Sequence, residues 1–307
     1  MMRSVLLRMS TSQWCERQVK RRRFAQKAVR KFMPGESVND ALEAAQRLGR
    51  RGIGVVLTEL GENVATESEA TAVACRYEQV VDRLAALALD GEISVKPTHL
   101  GLDVNEGVAA ANLRRLARKA GQAGSTVWVD MEDSSTVDAT LSLVGEARQV
   151  AEPVGVCLQA YLHRTPEDLA RLMADRVRVR LVKGAYREEP EHAIARKKDV
   201  DQRYHELAVE ILRDRAYVDA ATPVFGTHDA RLIERVRESA RQYGASPGQL
   251  EFHMLYGIQV PTQEWLAAVG ARVRVLISYG DHWYPWYMRR LAERPANLWF
   301  VLRKAFA

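Results

Sequence analysis

The stretch VGVCLQAYLHRTPEDLARLMADRVRVRLVKGAY, residues 154–186, contains the reading on which the fold turns. Two short apolar runs, VGVCLQAY (154–161) and VRVRLVKGAY (177–186), flank a segment with helical spacing. That segment starts on Thr165-Pro166-Glu167-Asp168, which supplies an N-cap, a proline at the first helical position and early acidic residues. A strand, a helix and a parallel strand follow from this order. Six further runs repeat the texture: GIGVVLTE (52–59), ISVKPTHLG (93–101), TVWVDMED (126–133), PVFGTH (223–228), LEFHMLYG (250–257) and VRVLISYG (273–280). Amphipathic stretches separate them. Eight such units in 307 residues favour a closed α/β architecture, a (β/α)8 TIM-type barrel, over an open sheet, because closure leaves no edge strand. No GxGxxG follows an early strand, which further disfavours a Rossmann sheet.

Residues 11–50 read as helices broken at Pro34-Gly35-Glu36-Ser37, with Ser37 or Asn39 as the cap of the second. The expected division is a basic helical arm over 1–50 and a catalytic barrel over 51–307. The net charge of +6 is concentrated in the arm, where residues 1–31 carry ten Lys and Arg, including Lys20-Arg21-Arg22-Arg23, against the single Glu16. The remaining chain is mildly acidic, which disfavours a dedicated nucleic-acid binder. Cys15, Cys75 and Cys157 are odd in number and widely spaced, so neither a disulfide framework nor a CxxC metal site is expected. No apolar run reaches the roughly 18 residues of a membrane span. The expected location is cytoplasmic. Histidine and carboxylate spacings give no zinc site, so no metal is expected, and no GxSxG nucleophile motif occurs.

A barrel of this type carries its active site at the C-terminal ends of its strands. The runs end on polar residues: Lys96, Thr98 and His99; Asp130, Glu132 and Asp133; Gln159 and Tyr161; Arg180, Lys183 and Tyr186; Thr227 and His228; His253 and Tyr256; Tyr279 and His282. A single strand-end Lys or His is more often a solvated or structurally satisfied residue. Agreement across the strands points to a site. After the eighth run, Arg289 and Arg290 fall near the start of a helix opening at Pro285. Cations there oppose the helix dipole, whereas an anionic ligand is favoured by it, so the pair reads as a clamp for carboxylate or phosphate with Glu293 as its orienting partner. A solvated face paired to Glu293 is the competing reading of the same residues.

The motifs SVKPTHLGL (94–102), VDMED (129–133), LQAYL (158–162), RLVKGAY (180–186), GTHD (226–229), EFHMLYG (251–257) and WYPWYMRRLAERPAN (283–297), in this order, resemble the proline dehydrogenases, most closely the smaller bacterial monofunctional ones. The resemblance runs from about Gly52 to Arg303. It implies a distorted (β/α)8 barrel that binds FAD and oxidises L-proline to 1-pyrroline-5-carboxylate, with hydride passing to the flavin and electrons to a quinone. It further implies that Lys96, Arg289 and Arg290 hold the proline carboxylate, with Glu293 orienting the arginines, and that Asp130 and Arg180 form the pair at the reactive edge of the flavin. Met131, Gln159, Arg180, Lys183, Gly184, Ala185, Thr227 and His228 would contact FAD. Tyr186, Leu255 and Trp286 would wall the substrate pocket.

The sequence departs from the family pattern at three positions. Leu276 stands where a Tyr lining the pocket is usual, Trp286 where a Tyr is usual, and His253 where a Gln is usual. The first opens hydroxyproline or another cyclic imino acid as an alternative substrate. Two other readings remain: a Schiff-base aldolase using Lys96 or Lys183, and a non-enzymatic binding protein with a basic arm. A membrane quinone as acceptor would require peripheral contact with the inner face of the membrane, which the arm's charge can supply.

Overall fold

A computed structural model describes residues 29–284 and 287–288. All eight runs form strands: β1 (Gly54–Glu59), β2 (Gly91–Val95), β3 (Val127–Val129), β4 (Val154–Gln159), β5 (Arg178–Val182), β6 (Val224–Gly226), β7 (Glu251–Leu255) and β8 (Arg272–Tyr279). Each pairs in parallel with the next, and β8 returns to β1 with Gly54 opposite Arg274 and Glu59 opposite Tyr279, which closes the barrel. Helices cover the crossovers: α2 (Glu67–Ala86), α3 (Glu106–Gln122), α4 (Val137–Arg148), α5 (Thr165–Ala174), α6 (Lys197–Arg213) with α7 (Arg215–Ala221), α8 (Ala230–Gln242) and α9 (Val260–Ala268). The place beside β8 and β1 is taken by α1 (Val38–Gly49), which precedes the first strand and packs on both.

Local chemistry sets the helix starts. Ser37 is the N-cap of α1: its Oγ accepts from the Asp40 amide at 3.1 Å while the Asp40 carboxylate accepts from the Ser37 amide at 3.0 Å. The expected cap at Thr165 is corrected. Thr165 is the first residue of α5, and its hydroxyl donates instead to the Gln159 carbonyl at 2.6 Å, tying the helix to the end of β4. Buried Asp168 joins Arg164 and Arg171 rather than serving the helix dipole alone.

Strand alternation sorts the side chains into two shells. Val55, Leu57, Ile93, Val95, Val179, Leu181, Phe252, Val275 and Ile277 belong to the large core between sheet and helices, whereas Val56, Trp128 and Val224, with Leu276 against them, form a separate cluster inside the barrel. The rest of the lumen is polar. Near the N-terminal end, Glu92 and Glu251 alternate with Arg178 and Arg274: Arg178 lies 3.2 Å from Glu92 and 3.6 Å from Glu251, and Arg274 lies 3.3 Å and 3.2 Å from the same two. The Trp128 indole N–H donates to Glu92 at 2.6 Å, so this charged floor is satisfied from several strands.

Candidate active site

The strand order brings the predicted polar residues to one mouth. Arg180, one position before the last two of β5, is buried and uses all three guanidinium nitrogens. Its Nε donates to Cys157 Sγ at 2.7 Å, Nη1 contacts His253 Nδ1 at 3.3 Å, and Nη2 donates to Ser94 Oγ at 2.8 Å and to Asp130 Oδ1. Ser94 in turn donates to the same Asp130 oxygen at 2.9 Å. The Trp128 ring lies under both Arg178 and Arg180, each 5.0 Å from its centroid. Burial pushes the Cys157 thiol up to about 11, so its sulfur stays protonated and neutral beside the ion pair. An arginine with this many fixed partners presents a positive charge that needs no rearrangement.

Lys96, just past β2, sets its Nζ 3.0 Å from Tyr186 Oη and 3.1 Å from Glu62 Oε1, with Glu132 at 4.0 Å. Burial would favour loss of its proton, but Tyr186, Glu62, Glu132 and Asp130 together outweigh burial and hold its pKa above the usual lysine value. The ammonium is therefore stable. Glu132 is fixed by the Thr98 amide at 2.9 Å and hydroxyl at 2.8 Å, and burial shifts its carboxyl upward. Gln159 bridges two loops, donating to the Glu132 carbonyl at 2.7 Å and accepting from the Ala185 amide at 3.2 Å.

Beyond β5 the backbone turns at Gly184, whose φ is +115°; a Cβ there would lie 2.2 Å from the Tyr161 ring. Only glycine fits. Lys183 points away from Arg180, with its Nζ against Asp201 and Asp229, so the two cations at this strand end occupy different surroundings. Burial opposes, but Lys183 and the first amides of α8 hold, a lowered pKa for Asp229. Thr227 Oγ1 accepts from the Asp229 amide at 3.2 Å, and His228 Nε2 accepts from the Leu255 amide at 2.7 Å, joining the ends of β6 and β7. Leu255 and Leu276 are register partners on β7 and β8. Trp286, Arg289, Arg290 and Glu293 lie outside the described residues, as does the arm over 1–28.

His253 is corrected: it sits in the middle of β7, fully buried, with its ring below the mouth rather than at its rim. Sequence reasoning missed Ser94, Cys157, Glu62 and Asp201. Ser94 had a signal, since it lies two residues before Lys96 and so shares its face of β2.

A sequence model of the family described as proline dehydrogenase matches residues 41–303. The chain belongs to the proline dehydrogenase family. It is 37% identical over 275 residues to proline dehydrogenase 1 of Bacillus subtilis subsp. natto, covering 90% of this chain and 89% of that one. It is 38% identical over 280 residues to the proline dehydrogenase of Deinococcus radiodurans, covering 89% and 88%. Among solved structures, proline utilization A from Bdellovibrio bacteriovorus superposes with a TM-score of 0.79 at 24% identity. That match covers 87% of this chain and 32% of the other, so the chain spans about a third of that longer protein's length and the likeness is one of fold.

Proposed function

We propose that this chain catalyses the FAD-dependent oxidation of L-proline to 1-pyrroline-5-carboxylate in proline catabolism, with the electrons passing on to a quinone. The observation that carries this reading is the juxtaposition, at one barrel mouth, of buried Arg180 paired with half-buried Asp130 and of Lys96 paired with Tyr186 in a member of this family. The residues present fit FAD: Gly184 leaves the backbone bare where a Cβ has no room, next to the Lys183 ammonium at the same strand end. Met131, Gln159, Lys183, Gly184, Ala185, Thr227 and His228 would hold it, with Lys183 sharing its charge between Asp201, Asp229 and the cofactor. Bound FAD supplies the electron-accepting ring.

The side chains bind and orient. Lys96, kept as an ammonium, offers the proline carboxylate a point charge, and Arg289 and Arg290, ordered by Glu293, add forked contacts to it. Tyr186, Leu255, Leu276 and Trp286 wall the ring and exclude water. Arg180, fixed by Asp130, Ser94, Cys157 and His253, stabilises the negative charge that develops during oxidation.

The Schiff-base aldolase reading needs a lysine whose proton is easily lost. Lys96 is shifted the other way by its partners, and Lys183 is held between two carboxylates. Among the described residues no helix is long and apolar enough to cross a membrane. The basic arm, whose charge suits an anionic surface, is our candidate for the quinone contact. The clamp supplies the test. Arg289→Ala or Arg290→Ala should lower kcat/KM for proline by about 30-fold or more with FAD still bound. Wild-type kinetics in both variants would show that the pair does not hold the carboxylate.

A further inference from the structure

His253 is joined to the floor of the barrel on one side and to Arg180 on the other. Its Nε2 lies 2.6 Å from Glu251 Oε1, and its Nδ1 lies 3.3 Å from Arg180 Nη1. A guanidinium only donates, so Nδ1 must carry the lone pair, and Nε2 must then carry the proton given to Glu251. One tautomer satisfies both contacts. Glu251 is itself fixed by Arg274 at 3.2 Å and Arg178 at 3.6 Å, so a continuous chain runs from the floor through Glu251, His253 and Arg180 to Asp130.

We propose that His253, held as the neutral Nε2–H tautomer by Glu251, is a positioning residue that sets Arg180 against Asp130. This rests on the reading that Arg180 and Asp130 face the reacting flavin and substrate. The charged and polar groups that bear on the ring are Glu251 on β7, Arg178 and Arg180 on β5, Glu92 on β2, Trp128 on β3 edge-on at 5.3 Å, and Arg274 on β8, while β6 places Gly226 opposite it. Burial favours the neutral ring; Glu251 opposes it, Arg180 reinforces it, and the net shift is downward. Protonation at Nδ1 would put an N–H against an N–H and two cations side by side, and the guanidinium would have to leave its place.

The same atoms rule out a metal reading. Ligand atoms of Glu92, Glu251 and His253 lie within 4.8 Å of one another, but Arg178 and Arg274 already pair with both carboxylates.

The amide of a glutamine reproduces the pattern, accepting from Arg180 and donating to Glu251, whereas leucine provides neither contact. His253→Leu should therefore lower kcat for proline by about 30-fold, more than any change in KM, and His253→Gln should restore most of that loss. The acid limb of the wild-type kcat profile, as His253 gains its proton below its ordinary pKa, should be absent or shifted in His253→Gln. Nitrogen NMR of the full-length protein labelled in histidine, assigned by the signal missing from His253→Gln, reads the tautomer directly. An unprotonated Nδ1 with a protonated Nε2 near about pH 8 supports the proposal, and a protonated Nδ1 overturns it. Wild-type kcat in His253→Leu also overturns it. If instead the wild-type protein neither binds flavin nor oxidises proline, the functional reading fails, while the tautomer measurement still decides whether His253 is held as described. That measurement also stands if His253→Leu does not fold.

Discussion

Leu276 packs against Val56, Trp128 and Val224 within the barrel and pairs in register with Leu255, so its apolar surface forms part of the wall above the charged floor. Leu276 itself offers no hydroxyl. A pocket built from such a wall discriminates weakly between a ring and its hydroxylated analogue, whereas one that must satisfy a buried polar group discriminates strongly. Leu276→Tyr should shift the ratio of kcat/KM values for proline and hydroxyproline toward proline by about 1 to 3 kcal/mol, and competition kinetics on the two substrates measures it; an unchanged ratio counts against Leu276 as a specificity position. His99 carries a second prediction at this scale. It is 5% exposed, its Nδ1 meets no hydrogen-bond partner among the described residues, and burial, reinforced by Arg76 and Lys96, lowers its pKa from 6.5 to about 4. Between those values the unfolded chain binds the proton that the folded chain refuses, so stability falls as pH drops through that window, by up to about 3 kcal/mol. Thermal unfolding from neutral to about pH 4.5 should show this loss, and His99→Gln should flatten it.

At the scale of single elements, α1 depends on its cap. Ser37→Ala removes the hydroxyl that accepts from the Asp40 amide and donates to its carboxylate, leaving the residue-37 amide on Asp40, and should cost about 1 kcal/mol, lowering the melting temperature by a few degrees without changing the flavin spectrum. All eight strands were legible because β-branched runs bounded by helical spacing leave few alternatives. Ser37 was legible as a cap because the break at Pro34-Gly35 precedes it. Thr165 was not, because its hydroxyl is drawn to the Gln159 carbonyl, a partner that exists only once β4 and α5 have packed. The same limit applies to the site. Lys96, Asp130 and Arg180 could be read from strand-end motifs, but the bond from Arg180 to Ser94 crosses the lumen from β5 to β2, and only barrel closure brings those strands face to face. His253 looked like a rim residue for that reason: position along a run does not say how deep a side chain sits.

For the whole molecule, closure puts a paired charge network at one end of the lumen and a mouth of cations paired with carboxylates at the other, with the apolar Val56, Trp128, Val224 and Leu276 cluster also within it. The basic arm is separate from this machinery in sequence, and its charge suits an anionic surface at up to about 1 kcal/mol per basic residue. Co-sedimentation with anionic vesicles at low salt should fall when residues 1–33 are removed and should be weak for neutral vesicles. Equal sedimentation of the two proteins would move the quinone contact elsewhere.

This barrel mouth is proposed to hold a flavin that proline reduces. The visible spectrum of the purified protein, recorded without oxygen before and after addition of L-proline, tests it most directly. The expected result is a yellow protein whose flavin absorbance bleaches on adding proline and returns when a quinone is supplied. A protein that stays colourless after incubation with FAD, or a bound flavin that proline leaves oxidised, would contradict it.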